Sequence, residues 1–209
     1  GLRVDYRVIE MQGWQPEAAP GFGWPEGPWV NPSPNAASLN MARAYAGTVM
    51  LEGCTLSEGR GTTRPLELLG APGLDAARLL ADMREMAPDW LAGCLLRPCW
   101  FEPTFHKHQG QLCAGLQIHT EDPASYRHAA FRPWRLVAQA QRRQWPDAPL
   151  WRDFAYEYEH GRLAIDLING SSLLREWVDD AQAPCADLDA LARTDETAWQ
   201  QERAAYLLY

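Results

Sequence analysis

The sequence predicts an α+β fold: a mixed β-sheet with helices packed on it, in a single domain over residues 1–209, with a long Trp/Pro/Gly-rich loop near the amino terminus. Three observations lead there. Short apolar or alternating runs at 6–11, 94–101, 113–119 and 163–167 carry the period of strands. Segments 74–87 and 133–145 repeat their apolar residues at helical spacing. A length of 209 residues, 46% of them hydrophobic and 22% charged, is enough for one sizeable core.

In chain order, the branched side chains of residues 6–11 predict a first strand. Residues 12–34 then turn rich in proline and glycine and hold Trp14, Trp24 and Trp29. Aromatic area of that size is unfavourable in water, so these rings either cap the core or stack on a sugar ring. Ser38 predicts the N-cap of a short helix through Met41, Ala42 and Tyr45 that ends at Gly47. Thr48-Val49-Met50 reads as a short buried strand feeding a glycine-bounded loop. The helix over 74–87 has Asp75 in its first turn and Leu79, Met83 and Met86 on one face. Pro98 marks the strand at 94–101 as an edge or gives it an irregular end. Along 113–119, Leu116 and Ile118 fall on one face and Cys113, Gln117 and His119 on the other. Pro133 opens a helix with Leu136, Val137 and Ala140 inward, and Arg135, Arg142 and Arg143 outward. Leu163, Ile165 and Leu167 share a strand face opposite Asp166; Asn169-Gly170 then turns the chain into a helix capped by Ser171 or Ser172. Residues 186–207 predict one or two surface helices.

A net charge of −8 argues against broad nucleic-acid or anionic-membrane binding, and no apolar run approaches the roughly 20 residues a membrane helix needs. The chain is expected to be soluble, with no nucleic-acid or membrane partner. Five cysteines without zinc-ribbon spacing give neither a disulfide framework nor a metal knuckle. No charged leader followed by an apolar stretch opens the chain at Gly1-Leu2-Arg3-Val4.

The stretch richest in chemistry runs from Leu51 to Glu67. Gly59 and Gly61 flank Arg60, and Glu58 precedes them, so one tight turn projects a carboxylate and a guanidinium. Ser57, Thr62 and Thr63 add hydroxyls suited to a sugar or an anion. Local chemistry alone leaves open a surface turn in which Glu58 and Arg60 only pair with each other.

The motifs Pro32-Ser33-Pro34-Asn35, Glu52-Gly53, Ser57-Glu58-Gly59-Arg60-Gly61-Thr62-Thr63, Pro65, Glu67, Gly70-Ala71-Pro72, Pro103-Thr104-Phe105, Lys107, and Cys113, Gly115, Gln117 and His119 follow one another in order. In this order they resemble the carboxyl-terminal half of the NamZ-type exo-β-N-acetylmuramidase family, down to the closing Tyr206-Leu207-Leu208-Tyr209. Cys54, Thr55, Leu66 and His106 depart from that pattern, and the family's amino-terminal Rossmann-like half has no counterpart in these residues. The resemblance implies a bacterial glycoside hydrolase of peptidoglycan and cell-wall recycling that removes N-acetylmuramic acid from the non-reducing end. It also implies that the missing half contributes to the cleft. The expected compartment is periplasmic or secreted, with the cytoplasm as the alternative.

Glycoside hydrolysis needs two carboxyl groups about the scissile bond. Glu58 is the candidate catalytic carboxylate; Glu52 and Glu67 read as structural. The lactyl carboxylate of muramic acid suits a bidentate arginine, which assigns Arg60, with Lys107 as a second positive group. Gln117, His119, Asn35 and Thr62 complete the candidate sugar-binding set if the polar face of residues 113–119 looks into the same cleft. No cofactor and no metal is expected. Two other classes remain: a non-catalytic cell-wall-binding module, and a metal-dependent hydrolase built on His106, His108 and His119. A nucleophilic Cys113 beside His119 is a further, remote reading.

Overall fold

The computed structural model describes residues 3–15, 28–120 and 133–208, without the side chains of residues 133–136 and 191. Trp24, Tyr209, and the side-chain directions of Arg135 and Leu136 lie outside that set. The elements are helix α1 (Leu39–Thr48), strand β1 (Leu68–Ala71), helix α2 (Ala76–Met86), strands β2 (Leu95–Phe101) and β3 (Cys113–His119), and helices α3 (Pro133–Gln144), α4 (Ala164–Asn169), α5 (Leu173–Asp179) and α6 (Cys185–Arg203). Single 3₁₀ turns at Val49–Gly53, Pro88–Leu91 and Ala204–Tyr206 join them. No helix among the described residues is long and apolar enough to cross a membrane.

The expected α+β domain is found, but its sheet is antiparallel rather than mixed among the described residues, in the order β1-β3-β2. β3 is central, and β2 carries Pro98 on an edge, where the missing N–H removes no ladder bond. One sheet face, with Leu69, Leu96, Leu116 and Ile118, packs with Leu79, Met83, Val137 and Ala140 of α2 and α3 into the main core. The other face holds a smaller cluster of Leu68, Cys99, Phe101 and Cys113.

α1 begins where Ser38 accepts the Met41 N–H at 3.0 Å, and α2 where Asp75 accepts the Arg78 N–H at 2.9 Å. α1 is fastened to the sheet by a second buried node. Glu67 accepts from Ser38 Oγ at 2.7 Å, from Asn40 Nδ2 at 2.6 Å and from Arg64 Nη1 at 3.2 Å. Asn40 in turn accepts the Thr120 N–H at 2.7 Å, just past the end of β3.

Three expected strands are not formed. Residues 48–50 continue α1 into the 3₁₀ turn, because Gly53 must lie flat on α4: a Cβ there would fall 2.7 Å from the Ile165 Cα. Residues 163–167 form α4 instead, which buries Ile165 on that same glycine and stops at Gly170 in the left-handed conformation, φ 82°. Residues 6–11 run outside the described sheet, with Tyr6, Val8, Ile9 and Met11 exposed; a strand needs a neighbouring ladder, and none of the described strands lies beside them.

Gly70 and Gly115 face each other across β1 and β3, and a Cβ on Gly115 would stand 1.8 Å from the Leu69 carbonyl oxygen. Gly115→Ala should therefore push β1 off β3, costing about 3 kcal/mol or more, read as a fall in the denaturation midpoint; an unchanged midpoint would refute so close a contact. Glu67→Gln turns an acceptor of three donors into a group that is half donor, and should cost about 1–3 kcal/mol in the same measurement.

Candidate functional site

The loop from Cys54 to Glu67 is sewn in at its start. Ser57 and Gly70 exchange backbone hydrogen bonds of 2.8 and 3.0 Å, and the Thr55 N–H donates to the Leu150 carbonyl at 2.8 Å. Gly59 and Gly61 take φ of 74° and 84°, and a Cβ on Gly61 would meet the Phe105 N at 2.7 Å. The Gly61 carbonyl accepts from both the Thr104 N–H and its hydroxyl, which locks this turn to the loop that carries Lys107. His106 and His108, on either side of Lys107, both sit in the left-handed region at φ 70° and 56°. Such backbone is unfavourable for residues with a Cβ and persists only where surrounding contacts hold it.

Those turns bring Glu58, Arg60 and Lys107 together. Glu58, its side chain 2% exposed, accepts from Lys107 Nζ at 2.8 Å and from Arg60 Nε at 3.0 Å, with His106 Nδ1 3.5 Å away. Lys107 donates its other two protons to the carbonyls of Leu51 and Leu56 at 2.9 and 3.0 Å. Arg60 turns Nη2 to Glu52 Oε1 at 2.7 Å, and the Tyr156 hydroxyl donates to Glu52 Oε2 at 3.2 Å. Glu52 is therefore part of this cluster, not a structural acid apart from it.

The electrostatics follow from that packing. Burial opposes the Arg60 charge, but the hydrogen bond and attraction of Glu52, together with Glu58, raise its pKa overall. Burial lowers the His106 pKa against the opposing pull of Glu58, and Lys107, Arg152 and Arg60 add to the lowering, so the imidazole favours its neutral form. Burial and the Glu52 charge push Tyr156 up to about 12, leaving it a hydrogen-bond donor at neutral pH.

The remaining candidates lie elsewhere. Asn35, Thr62 and Gln117 line an open groove of about 1030 Å³, bounded also by Arg64, Arg97 and Trp100 and not by Glu58, Arg60 or Lys107. Gln117 accepts from Arg97 Nη2, and the Thr62 hydroxyl donates to the Gly59 carbonyl at 2.6 Å as part of the turn. His119 lies at the end of β3, opposite Leu95. Of the polar face of β3, Gln117 thus opens into the groove. Trp29 closes a turn by donating to the Ala36 carbonyl at 2.8 Å.

His106, His108 and His119 do not converge: His108 Nε2 bonds the Thr55 carbonyl at 2.8 Å, and no group of three or more His, Cys, Asp or Glu suited to a metal occurs among the described residues. All five cysteines are free thiols, and burial pushes Cys113 up to about 11, so it is a poor nucleophile.

Sequence reasoning passed over residues 151–161. Trp151 bridges to Cys54, and Arg152 N–H donates to the Gly53 carbonyl at 3.0 Å, which places Arg152 and Tyr156 against the cluster. The alternation Arg152, Phe154, Tyr156, Tyr158 was the available signal, since aromatic and charged residues at every second position point to a patterned surface.

Comparison with known proteins bears directly on this loop. A family model described as the carboxyl-terminal part of the exo-beta-N-acetylmuramidase NamZ matches residues 43–209. The peptidoglycan beta-N-acetylmuramidase NamZ of Bacillus subtilis (strain 168) is 38% identical over 121 residues, which is 58% of this chain and 28% of that protein. Two crystal structures of DUF1343 family proteins from Bacteroides fragilis share the fold. One has a TM-score of 0.58 at 22% identity, over 87% of this chain and 45% of its own. The other has a TM-score of 0.60 at 18% identity, over 86% and 44%. The chain thus spans less than half the length of each of these proteins, and within them it matches one part. With residues 43–209 covered, including the whole Glu58 loop and its partners, the chain belongs to the family of NamZ carboxyl-terminal domains.

Proposed function

We propose that this chain is the carboxyl-terminal half of an exo-acting β-N-acetylmuramidase, acting on peptidoglycan fragments at a non-reducing terminal N-acetylmuramic acid, in the periplasm or outside the cell. The observation that carries the reading is the buried Glu58, held by Lys107 and Arg60 within the range that the family model matches. Family membership makes a muramidase the natural assignment, and the relatives' greater length leaves room for the rest of the cleft.

The geometry supports a shared site. Paired carboxylates that cleave a glycoside stand about 5–9 Å apart with the sugar between them. Here the space between Glu52 and Glu58 is filled by the Arg60 guanidinium, which bonds both. In this reading one carboxyl group comes from the amino-terminal half, and Glu58 is the carboxylate of the wall supplied here. Asn35, Thr62, Gln117 and the groove they line receive the portion of the fragment beyond the muramic acid; His119 is not among the residues that line it.

Glu58 is so little exposed that a second reading has support: a domain that binds muramyl sugars while the chemistry is done elsewhere. A chromogenic N-acetylmuramic acid glycoside separates the two. The complete protein should turn it over, and Glu58→Gln, shown to be folded by circular dichroism, should lower kcat by about 100-fold or more. Undiminished turnover with unchanged KM would remove Glu58 from the mechanism. Unchanged kcat with a raised KM would favour the binding module.

A further inference from the structure

The cluster holds three fixed cations, Arg60, Lys107 and Arg152, against two carboxylates, Glu52 and Glu58, and two of those cations are already engaged. Lys107 uses all three of its protons within the chain. Arg60 uses its Nε and Nη2, the edge that forms a bidentate fork, on Glu58 and Glu52. Arg152 differs. Among the described residues no carboxylate pairs with it, its Nη1 makes one long contact of 3.4 Å to the Glu52 carbonyl, and its Nε is buried without a hydrogen-bond partner.

What holds Arg152 is an aromatic face. Its guanidinium carbon lies 3.4 Å from the centroid of Phe154 and 5.8 Å from that of Tyr156. Stacking uses the flat face of the guanidinium and leaves its terminal Nη groups, in the same plane, available to a planar acceptor. The same hairpin leaves Phe154 55% and Tyr158 95% exposed, beside a cation that feels the charges of Glu58 and Glu52 without bonding either carboxylate. Its turn is a two-residue hairpin, in which Tyr156 and Glu159 exchange hydrogen bonds of 3.2 and 2.9 Å, with Glu157 and Tyr158 at φ 49° and 66°. Asn-Gly is the usual occupant of such a turn. Glu-Tyr strains it and sets a bare tyrosine ring at the tip.

We propose that Arg152, stacked on Phe154, is the specificity-determining residue that receives the carboxylate of an acidic sugar, with the exposed rings of Phe154 and Tyr158 against the sugar's apolar face. The muramidase reading supplies the identity of the sugar, N-acetylmuramic acid, whose lactyl group bears that carboxylate. In this arrangement Arg60 holds the two glutamates in place and does not touch the ligand.

The test is an NMR or calorimetric titration of the 209-residue chain with N-acetylmuramic acid, its methyl ester and N-acetylglucosamine. The wild type should bind the acid about tenfold or more tightly than the ester. Arg152→Ala should bring the acid to the level of the ester while leaving the ester unchanged. Arg152→Lys, which keeps the charge but loses the fork, should fall between them. Equal affinities of the wild type for acid and ester, or discrimination that survives in Arg152→Ala, would overturn the proposal, as would an equal loss for all three ligands. A complete protein that fails to hydrolyse the glycoside while this chain still discriminates would overturn the muramidase reading and leave the carboxylate site standing.

Discussion

The structure around the site depends on one buried ammonium. Lys107 Nζ meets the carbonyls of Leu51 and Leu56 and the carboxylate of Glu58, so the arc of backbone over residues 51–58 closes around a single positive charge. A carboxylate 2% exposed is costly to desolvate, and its burial is tolerable only with opposite charge in contact. Removing either member of such a pair costs about 3–5 kcal/mol, because the other is left buried alone. The strained backbone of His106 and His108 is the geometric expense of delivering Lys107 to that point.

The second buried carboxylate in the same motif shows how differently one residue type is used nine positions further on. Glu67 is surrounded by Ser38, Asn40 and Arg64, and its neighbours tie α1 to the end of β3. Glu58 sits where the surrounding side chains, Arg60 and His106, are partly open to solvent. Both residues follow from one loop whose register is fixed by Leu66, at φ 64°, donating its N–H to the Glu58 carbonyl at 2.7 Å. The first carboxylate builds a surface and the second builds the fold beneath it.

How much of this was legible in the sequence follows from the range of the forces. Local signals were readable: the Ser38 cap, the alternating face of β3, the edge position of Pro98; Asp75, expected inside the first turn of α2, is instead its N-cap. Residues 48–50 and 163–167 were misread because each is apolar and short, where periodicity cannot distinguish a buried strand from a helical turn. Their mutual packing, Gly53 against Ile165, decided the matter, and no local pattern reports a contact across more than a hundred residues. For the same reason Glu58, Arg60 and Lys107 could be named together through ordered motifs, Glu52 from the same motifs only as a structural acid, and Arg152 and Tyr156 not at all. Nor could alternation along β3 show that Gln117 opens into the groove.

The departures from the family pattern fall where this geometry makes them consequential. Leu66 and His106 are two of the substituted positions, and both carry positive φ, so their side chains are held by tertiary contact and not by backbone preference. His106 adds an imidazole 3.5 Å from Glu58 Oε1, and burial keeps that ring toward its neutral form. A neutral ring leaves the charge balance of the cluster to Arg60, Lys107 and Arg152. In a chain of net charge −8 this small local excess of cations is held on rigid backbone, by the Arg152 N–H on Gly53 and by Lys107 on Leu51 and Leu56. An anionic sugar would therefore meet a preorganised positive site without having to order it.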